Sequence, residues 1–180
     1  MQLTATNLPE VLLIEPKVFG DARGFFMESW NRKTFQGLGL DLEFVQDNHS
    51  RSGKGVLRGL HYQLQQPQGK LVRVTSGAVY DVAVDLRRSS PTFGQWVGFT
   101  LSAEDKRMAW IPPGFAHGFC VTSDSAEFLY KTTDYYSPAH ERTLLWNDPQ
   151  LAIPWPLDGE PLLAAKDKAG TPLALAASFA

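Results

Sequence analysis

Gly55-Val56-Leu57-Arg58-Gly59-Leu60-His61-Tyr62-Gln63, then Leu64-Gln65-Gln66-Pro67-Gln68-Gly69, then Lys70-Leu71-Val72-Arg73, is the stretch on which the reading of this chain turns. Arg58 precedes His61, an imidazole able to take a proton near neutral pH. A Pro/Gly loop follows, and Lys70 then heads an apolar, β-branched run. Strand, loop and strand in this order predict a hairpin. A hairpin that aims Arg58, His61 and Lys70 at one spot would suit an anionic substrate that gives up a proton. One conflict is built in. Side chains alternate along a strand, so Arg58 and His61 should face opposite sides. They share a site only if the strand bulges or twists, and Gly59 is where that break is expected.

Outward from this stretch the chain is chopped into short segments by 15 glycines and 12 prolines. Val11 to Ile14 suits a strand. Asp21 to Gly24 reads as a turn with Arg23 at its tip. Asn31 to Leu38 predicts a short helix ending at Gly37 or Gly39. Phe44 to Ser50 starts as a strand and turns polar, and Ser50 to Gly55 reads as a flexible loop. Val79 to Leu86 alternates with period two over its whole length, and Trp96 to Leu101 does the same. Met108 to Ile111 must stop at Pro112-Pro113. Gly118 to Thr122, Ala126 to Tyr136 and Thr143 to Trp146 read as further strands. Prolines from Pro149 onward exclude long regular structure. Leu162 to Gly170 has room for one or two helical turns. About ten short strands and little helix predict an all-β fold, a barrel or jelly roll with short peripheral helices. Its ligand should sit in the barrel mouth or interior.

The chain has 180 residues, which fits a single domain over 1–180 with a core of its own. Net charge is −2 with no block of like charges, which argues against a nucleic-acid partner. The single cysteine, Cys120, allows no internal disulfide. Met1-Gln2-Leu3-Thr4 lacks a basic, apolar leader, and the apolar tail from Leu173 is too short to span a bilayer. No membrane association and a cytoplasmic location are the expectation.

Pro112-Pro113-Gly114-Phe115-Ala116-His117 has the form P-x-G-x-x-H and resembles the second motif of the cupin jelly rolls. Many cupins pair that histidine with an H-x-H motif and a carboxylate to hold a metal. Here Gln63 stands where the second histidine would be, and no acidic residue follows before Lys70. A cupin-like barrel with no metal is expected. The resemblance then sharpens. Asp21 to Phe26, Gln46 to Ser50, Val56 to Gln63, Gly69 to Val74, Gly77 to Arg87, Ile111 to Phe119, Leu129-Tyr130-Lys131 and Ala165 to Lys168 are similar, in order, to motifs of the dTDP-4-dehydrorhamnose 3,5-epimerase family.

That resemblance implies a reaction and a cast. The family inverts C3 and C5 of a dTDP-linked 4-keto-6-deoxyhexose, turning dTDP-4-dehydro-6-deoxy-D-glucose into dTDP-4-dehydro-L-rhamnose in dTDP-L-rhamnose biosynthesis. Both carbons flank the C4 ketone, so their protons are acidic, and no cofactor is required. Inversion needs a base on one face of the ring, a proton donor on the other and a group to hold the enolate oxygen. His61 matches the base, and Asp167 matches the carboxylate that fixes its tautomer and raises its pKa. From position alone Asp167 reads as a surface residue in an Ala/Lys-rich tail. Tyr130 matches the proton donor, on an inward face shared with Phe128 and Thr132. Lys70 is the candidate for the enolate oxygen. Arg58 and Arg23 are candidates for the diphosphate, though a turn tip often carries an exposed arginine. Glu28, Gln46, Asp47, Asn48, His117, Glu141 and Lys166 match substrate-contact positions, while His49 and His140 read as structural. The family also implies a homodimer that exchanges the N-terminal segment carrying Arg23 and Glu28. Three alternatives remain at this point: a relative that inverts one carbon or moves the ketone, a metal-dependent cupin enzyme, and a sugar-nucleotide-binding module without activity.

Overall fold

The computed structural model describes residues 1–180. Thirteen strands and two short helices follow in the order β1 (Gln2–Ala5), β2 (Leu12–Glu15), β3 (Val18–Asp21), β4 (Gly24–Met27), α1 (Arg32–Gly37), β5 (Gln46–Gly53), β6 (Leu57–Gln63), β7 (Lys70–Ser76), β8 (Ala78–Asp85), β9 (Trp96–Ser102), β10 (Met108–Ile111), β11 (Phe115–Val121), β12 (Ser125–Thr132), β13 (Glu141–Thr143) and α2 (Ala165–Lys168). One sheet has the order β1-β2-β10-β7-β12-β5 and the other β13-β6-β11-β8-β9, with β3 and β4 forming a separate ribbon. This is the cupin-like, all-β architecture expected, with helix confined to two short peripheral pieces.

The sheets close on a shared interior. Val72 and Val74 of β7 and Ala126 and Phe128 of β12 meet Val79 of β8, Leu101 of β9 and Phe119 and Val121 of β11. Phe119 stacks on Phe128 with ring centroids 4.2 Å apart. The outer face of each sheet is covered as well. Leu60 and Tyr62 of β6 and Val82 and Val84 of β8 pack under the C-terminal segment through Leu151, Leu173 and Ala176. Phe35 of α1 covers Leu71, Met108 and Trp110 on the other side. Two-sided burial explains why β8 is apolar at every position but Asp81 and Asp85.

Helix α1 stops at Gly37 as its sequence implied, with the Asn31 carboxamide accepting from Lys33 N and Thr34 N at its start. Other expectations need correction. Gly55 to Arg73 is not a hairpin, because β6 and β7 belong to different sheets. Side chains pull the intervening loop across. Gln63 Nε2 donates to Gln66 O at 2.9 Å and Tyr135 O at 3.1 Å, Gln68 Nε2 donates to Asp134 O at 2.9 Å, and Gly69 N–H donates to Thr133 Oγ1 at 2.8 Å. The loop is thereby moored to the end of β12. Ser50 to Gly53 is strand, not loop, because it pairs with Phe128 to Ser125. β12 ends at Thr132, four residues early, where the Thr132 hydroxyl turns to Asp134 O. The strand expected at Thr143 to Trp146 lies at Glu141–Thr143, and β1 escaped notice.

The bulge is where the conflict between Arg58 and His61 required it. His117 pairs with His61 and Phe119 with Arg58, so β6 carries one more residue than β11 across this interval. Gly59 has φ +120°, and a Cβ there would lie 2.6 Å from Gly118 Cα. Only glycine fits that approach. The extra residue turns Arg58 to the cavity that His61 also lines, while Leu60 and Tyr62 keep to the outer core.

Candidate active site

One cavity of about 400 Å³ opens between the two sheets. That is the size range of a small-molecule site. His61 from β6 lines it on the five-stranded side, and Tyr130 from β12 lines it on the six-stranded side. Lys70, Arg58, His117 and Asp167 also reach it.

Asp167 Oδ1 lies 2.5 Å from His61 Nε2, across 106 residues of sequence. The Asp167 side chain is 2 % exposed and that of His61 23 %. The surface reading of Asp167 is therefore corrected: α2 turns it inward while Lys166 and Lys168 stay exposed. A carboxylate only accepts, so Nε2 carries the proton and Nδ1 keeps a free lone pair. Burial pushes the His61 pKa below its ordinary value and Asp167 pulls it back up, with burial the larger effect. The net direction is thus opposite to the rise that the carboxylate alone implied. An imidazole held in this way is neutral at pH 7 and ready to accept a proton.

Lys70 is 8 % exposed, and its ammonium donates to the His61 carbonyl at 3.3 Å. Burial brings its pKa down to about 8, against the pull of Asp81 and Glu141. It remains mostly cationic at pH 7 while carrying little hydration. The Tyr130 phenol is pushed above its ordinary pKa by burial, so it keeps its proton at neutral pH. His117 Nε2 donates to both oxygens of Asp81 at 3.0 Å, and Asp81 is fully buried. Burial raises the Asp81 pKa while His117 and Lys70 oppose that rise. Sequence reasoning missed Asp81. The signal was present: a carboxylate sharing a strand face with Val79 and Ala83.

At the rim, Lys166 Nζ lies 2.8 Å from Glu141 Oε1, and Tyr136 OH donates to Glu141 Oε2 at 3.1 Å. Arg58 Nε donates to Ser52 Oγ at 3.0 Å, which leaves its terminal nitrogens uncommitted. Gln46 and Asn48 line the cavity from β5. Three candidates are not brought to it. The Arg23 side chain is 89 % exposed on the β3–β4 ribbon and pairs with Asp21. Glu28 accepts from Asn31 Nδ2 at 2.9 Å and Thr34 Oγ1 at 2.8 Å at the start of α1. Asp47 faces the other side of β5 from Gln46 and Asn48 and pairs with Lys131 at 2.9 Å. His49 likewise turns outward to Glu127 at 3.0 Å.

A cupin-like barrel that sets an imidazole and a phenol on opposite sheets of one cavity, with a buried ammonium in the same cavity, is the frame of an acid–base enzyme. Residues 5–174 match the family described as dTDP-4-dehydrorhamnose 3,5-epimerase. A protein of that description from Pseudomonas aeruginosa is 63 % identical over 180 residues, 99 % of each chain. The crystal structure of dTDP-6-deoxy-D-glucose-3,5-epimerase from Legionella pneumophila, in complex with dTDP-4-keto-L-rhamnose, superposes with a TM-score of 0.94 at 58 % identity, covering 97 % of this chain and 93 % of that one. A 3'-monoepimerase from Streptomyces bikiniensis, in complex with dTDP-quinovose, superposes with a TM-score of 0.89 at 34 % identity, covering 94 % of this chain and 87 % of that one. The chain belongs to the dTDP-4-dehydrorhamnose 3,5-epimerase family. No helix is long and apolar enough to cross a membrane.

Proposed function

We propose that this chain epimerises C3 and C5 of dTDP-4-dehydro-6-deoxy-D-glucose to give dTDP-4-dehydro-L-rhamnose, supplying dTDP-L-rhamnose biosynthesis. The observation that carries the reading is the placement of His61 and Tyr130 on opposite sheets of one cavity. Inversion at carbon takes a proton from one face and returns one to the other, and a single acid–base group on one wall would return it where it came from.

In this reading His61 Nδ1 removes the proton next to the C4 ketone, and Asp167 stabilises the imidazolium that forms. The electron pair moves to the C4 oxygen, where the buried Lys70 ammonium offsets the enolate charge. The Tyr130 phenol then donates its proton to the opposite face of the same carbon. The sequence repeats at the second carbon, and the two side chains reset by exchange with solvent. Arg58 holds the diphosphate, and His117, Asn48, Glu141 and Lys166 hold the rest of the substrate. We read residues 1–180 as a single domain working in the cytoplasm as a homodimer. The β3–β4 ribbon exposes Phe19, Phe25 and Phe26 and carries Arg23 away from its own cavity, which fits a ribbon lent to a second copy.

The test is turnover of dTDP-4-dehydro-6-deoxy-D-glucose in heavy water, followed by proton NMR. Deuterium at both C3 and C5 with the L-rhamno configuration is the expected outcome. Deuterium at C3 alone would place the chain with the single-carbon epimerases, and none at either carbon would reject the assignment.

A further inference from the structure

Between β12 and β13 no strand holds the chain, and Tyr136 lies in that gap. It is half-exposed, it lines the cavity, and its phenol donates to Glu141 Oε2 at 3.1 Å. The backbone on either side of it is gripped by one side chain. Gln63 Nε2 donates to Tyr135 O at 3.1 Å, and Gln63 Oε1 accepts from Ser137 N–H at 2.9 Å. The other Nε2 hydrogen of Gln63 goes to Gln66 O at 2.9 Å. The direction of this clamp is fixed. An N–H cannot accept and a carbonyl cannot donate, so turning the carboxamide over would set donor against donor and oxygen against two oxygens. Gln63 is 4 % exposed, with both of its donors committed to the protein. It sits two residues after His61 on β6, so the two side chains share a face, and both line the cavity. Glu141 stands directly across from it in the β6–β13 register.

We infer that Gln63 is a positioning residue: it fixes the Tyr136–Glu141 rim to the strand that carries His61, and so sets the affinity for the nucleoside diphosphate sugar. A segment without a strand partner has many conformations, and ordering it when a ligand arrives weakens the complex. Gln63 orders the chain around Tyr136 in the folded protein, before any ligand is present. Without the clamp Tyr136 moves freely and Glu141 loses the hydrogen bond from its phenol. The base is held by other means. His61 keeps its register with His117 on β11 and its hydrogen bond to Asp167. The clamp therefore acts on the rim, through Tyr136, and not on the reacting groups. This inference deepens the proposed function and rests on it for the identity of the ligand.

A double-mutant cycle tests it. Gln63→Glu still accepts from Ser137 N–H but faces two carbonyl oxygens without a donor, and Gln63→Leu fills the space with no hydrogen bond at all. Each is made alone and in a Tyr136→Ala background. Turnover of dTDP-4-dehydro-6-deoxy-D-glucose gives KM and kcat, and a melting curve reports the fold. The single variants should raise KM about tenfold or more while kcat stays within about threefold. In the Tyr136→Ala background the same changes at Gln63 should raise KM less than about twofold, because no ring is left to place. Equal costs in the two backgrounds would overturn the inference, since a direct contact of Gln63 with the ligand or a general loosening would persist without Tyr136. An unchanged KM in both single variants would overturn it, and so would a kcat that falls as steeply as KM rises, which would put Gln63 in the service of the base instead. Should Gln63→Glu lower the melting temperature steeply, the neutral Gln63→Leu carries the cycle. Wild-type protein that binds the sugar nucleotide without epimerising it would defeat the proposed function alone, and the cycle would then be read on affinity by calorimetry.

Discussion

Replacing Asp167 by Asn keeps the shape of a buried side chain and removes its charge. The Asp167 carboxylate is 2 % exposed and 2.5 Å from His61 Nε2, so little water is available to substitute for it. Both its hydrogen bond and its charge raise the basicity of His61, in opposition to burial. Without it, burial acts unopposed by its largest counterweight and the imidazolium formed during proton abstraction loses a charge-assisted partner. Such a hydrogen bond contributes about 1.5–3 kcal/mol. At 1.36 kcal/mol per decade, kcat should fall about 10- to 150-fold. A larger fall is expected if the amide turns its NH2 toward Nε2 and forces the other tautomer. Asp167 faces the imidazole and not the ligand, so dTDP affinity should stay within about threefold. The acid limb of the kcat/KM profile should also move to lower pH, because His61 protonates less readily. The assay is deuterium incorporation by NMR across a pH series, with dTDP affinity by calorimetry and a melting curve to exclude misfolding. A folded Asp167→Asn protein with near wild-type turnover and an unmoved acid limb would refute the pairing argument.

Activity of the wild type should describe a bell in pH. It rises as His61 loses its proton below 6.5 and falls as Lys70 loses its proton near 8, and Lys70→Met should remove the alkaline limb along with most of kcat. Tyr130→Phe should retain exchange of the substrate α-protons with heavy water while inversion collapses, and loss of both in equal measure would contradict a two-walled mechanism. Gly59→Ala sets a Cβ 2.6 Å from Gly118 Cα at φ +120°, so a destabilisation of about 3 kcal/mol, read as a melting temperature lower by about 10 °C, is expected.

Most of the barrel was legible because its strands carry period-two alternation and its turns carry glycine and proline. Val79 to Leu86 and Trp96 to Leu101 show this directly, and β8 and β9 occupy those positions. The bulge at Gly59 was legible for a different reason: two chemically matched side chains at an odd spacing demanded it. What the sequence withheld is mostly sheet membership. Alternation tells which way a residue faces within a strand but not which sheet the strand joins, so β6 and β7 read as a hairpin although Gln63 and Gln68 moor their loop to the far sheet. Asp167 was obscured by 106 residues of separation from His61. Its burial depends on the C-terminal segment folding back over β6, which no local pattern encodes. Arg23, Glu28 and Asp47 were named by resemblance alone, and within one chain each is engaged elsewhere.

The stacked pair of Phe119 and Phe128 joins the two walls of the barrel just beside the residues that carry His61 and Tyr130. It works as a gauge block. Stereochemistry in such a pocket depends on a fixed gap between imidazole and phenol, and the width of that gap is set by two rings that line the cavity without carrying any acid or base. Trimming either ring would leave every polar group in place and still detune the enzyme, letting one hand of proton delivery drift relative to the other. Regiochemical drift among relatives of this barrel can therefore begin in the oil of the core, well before any acid or base is exchanged.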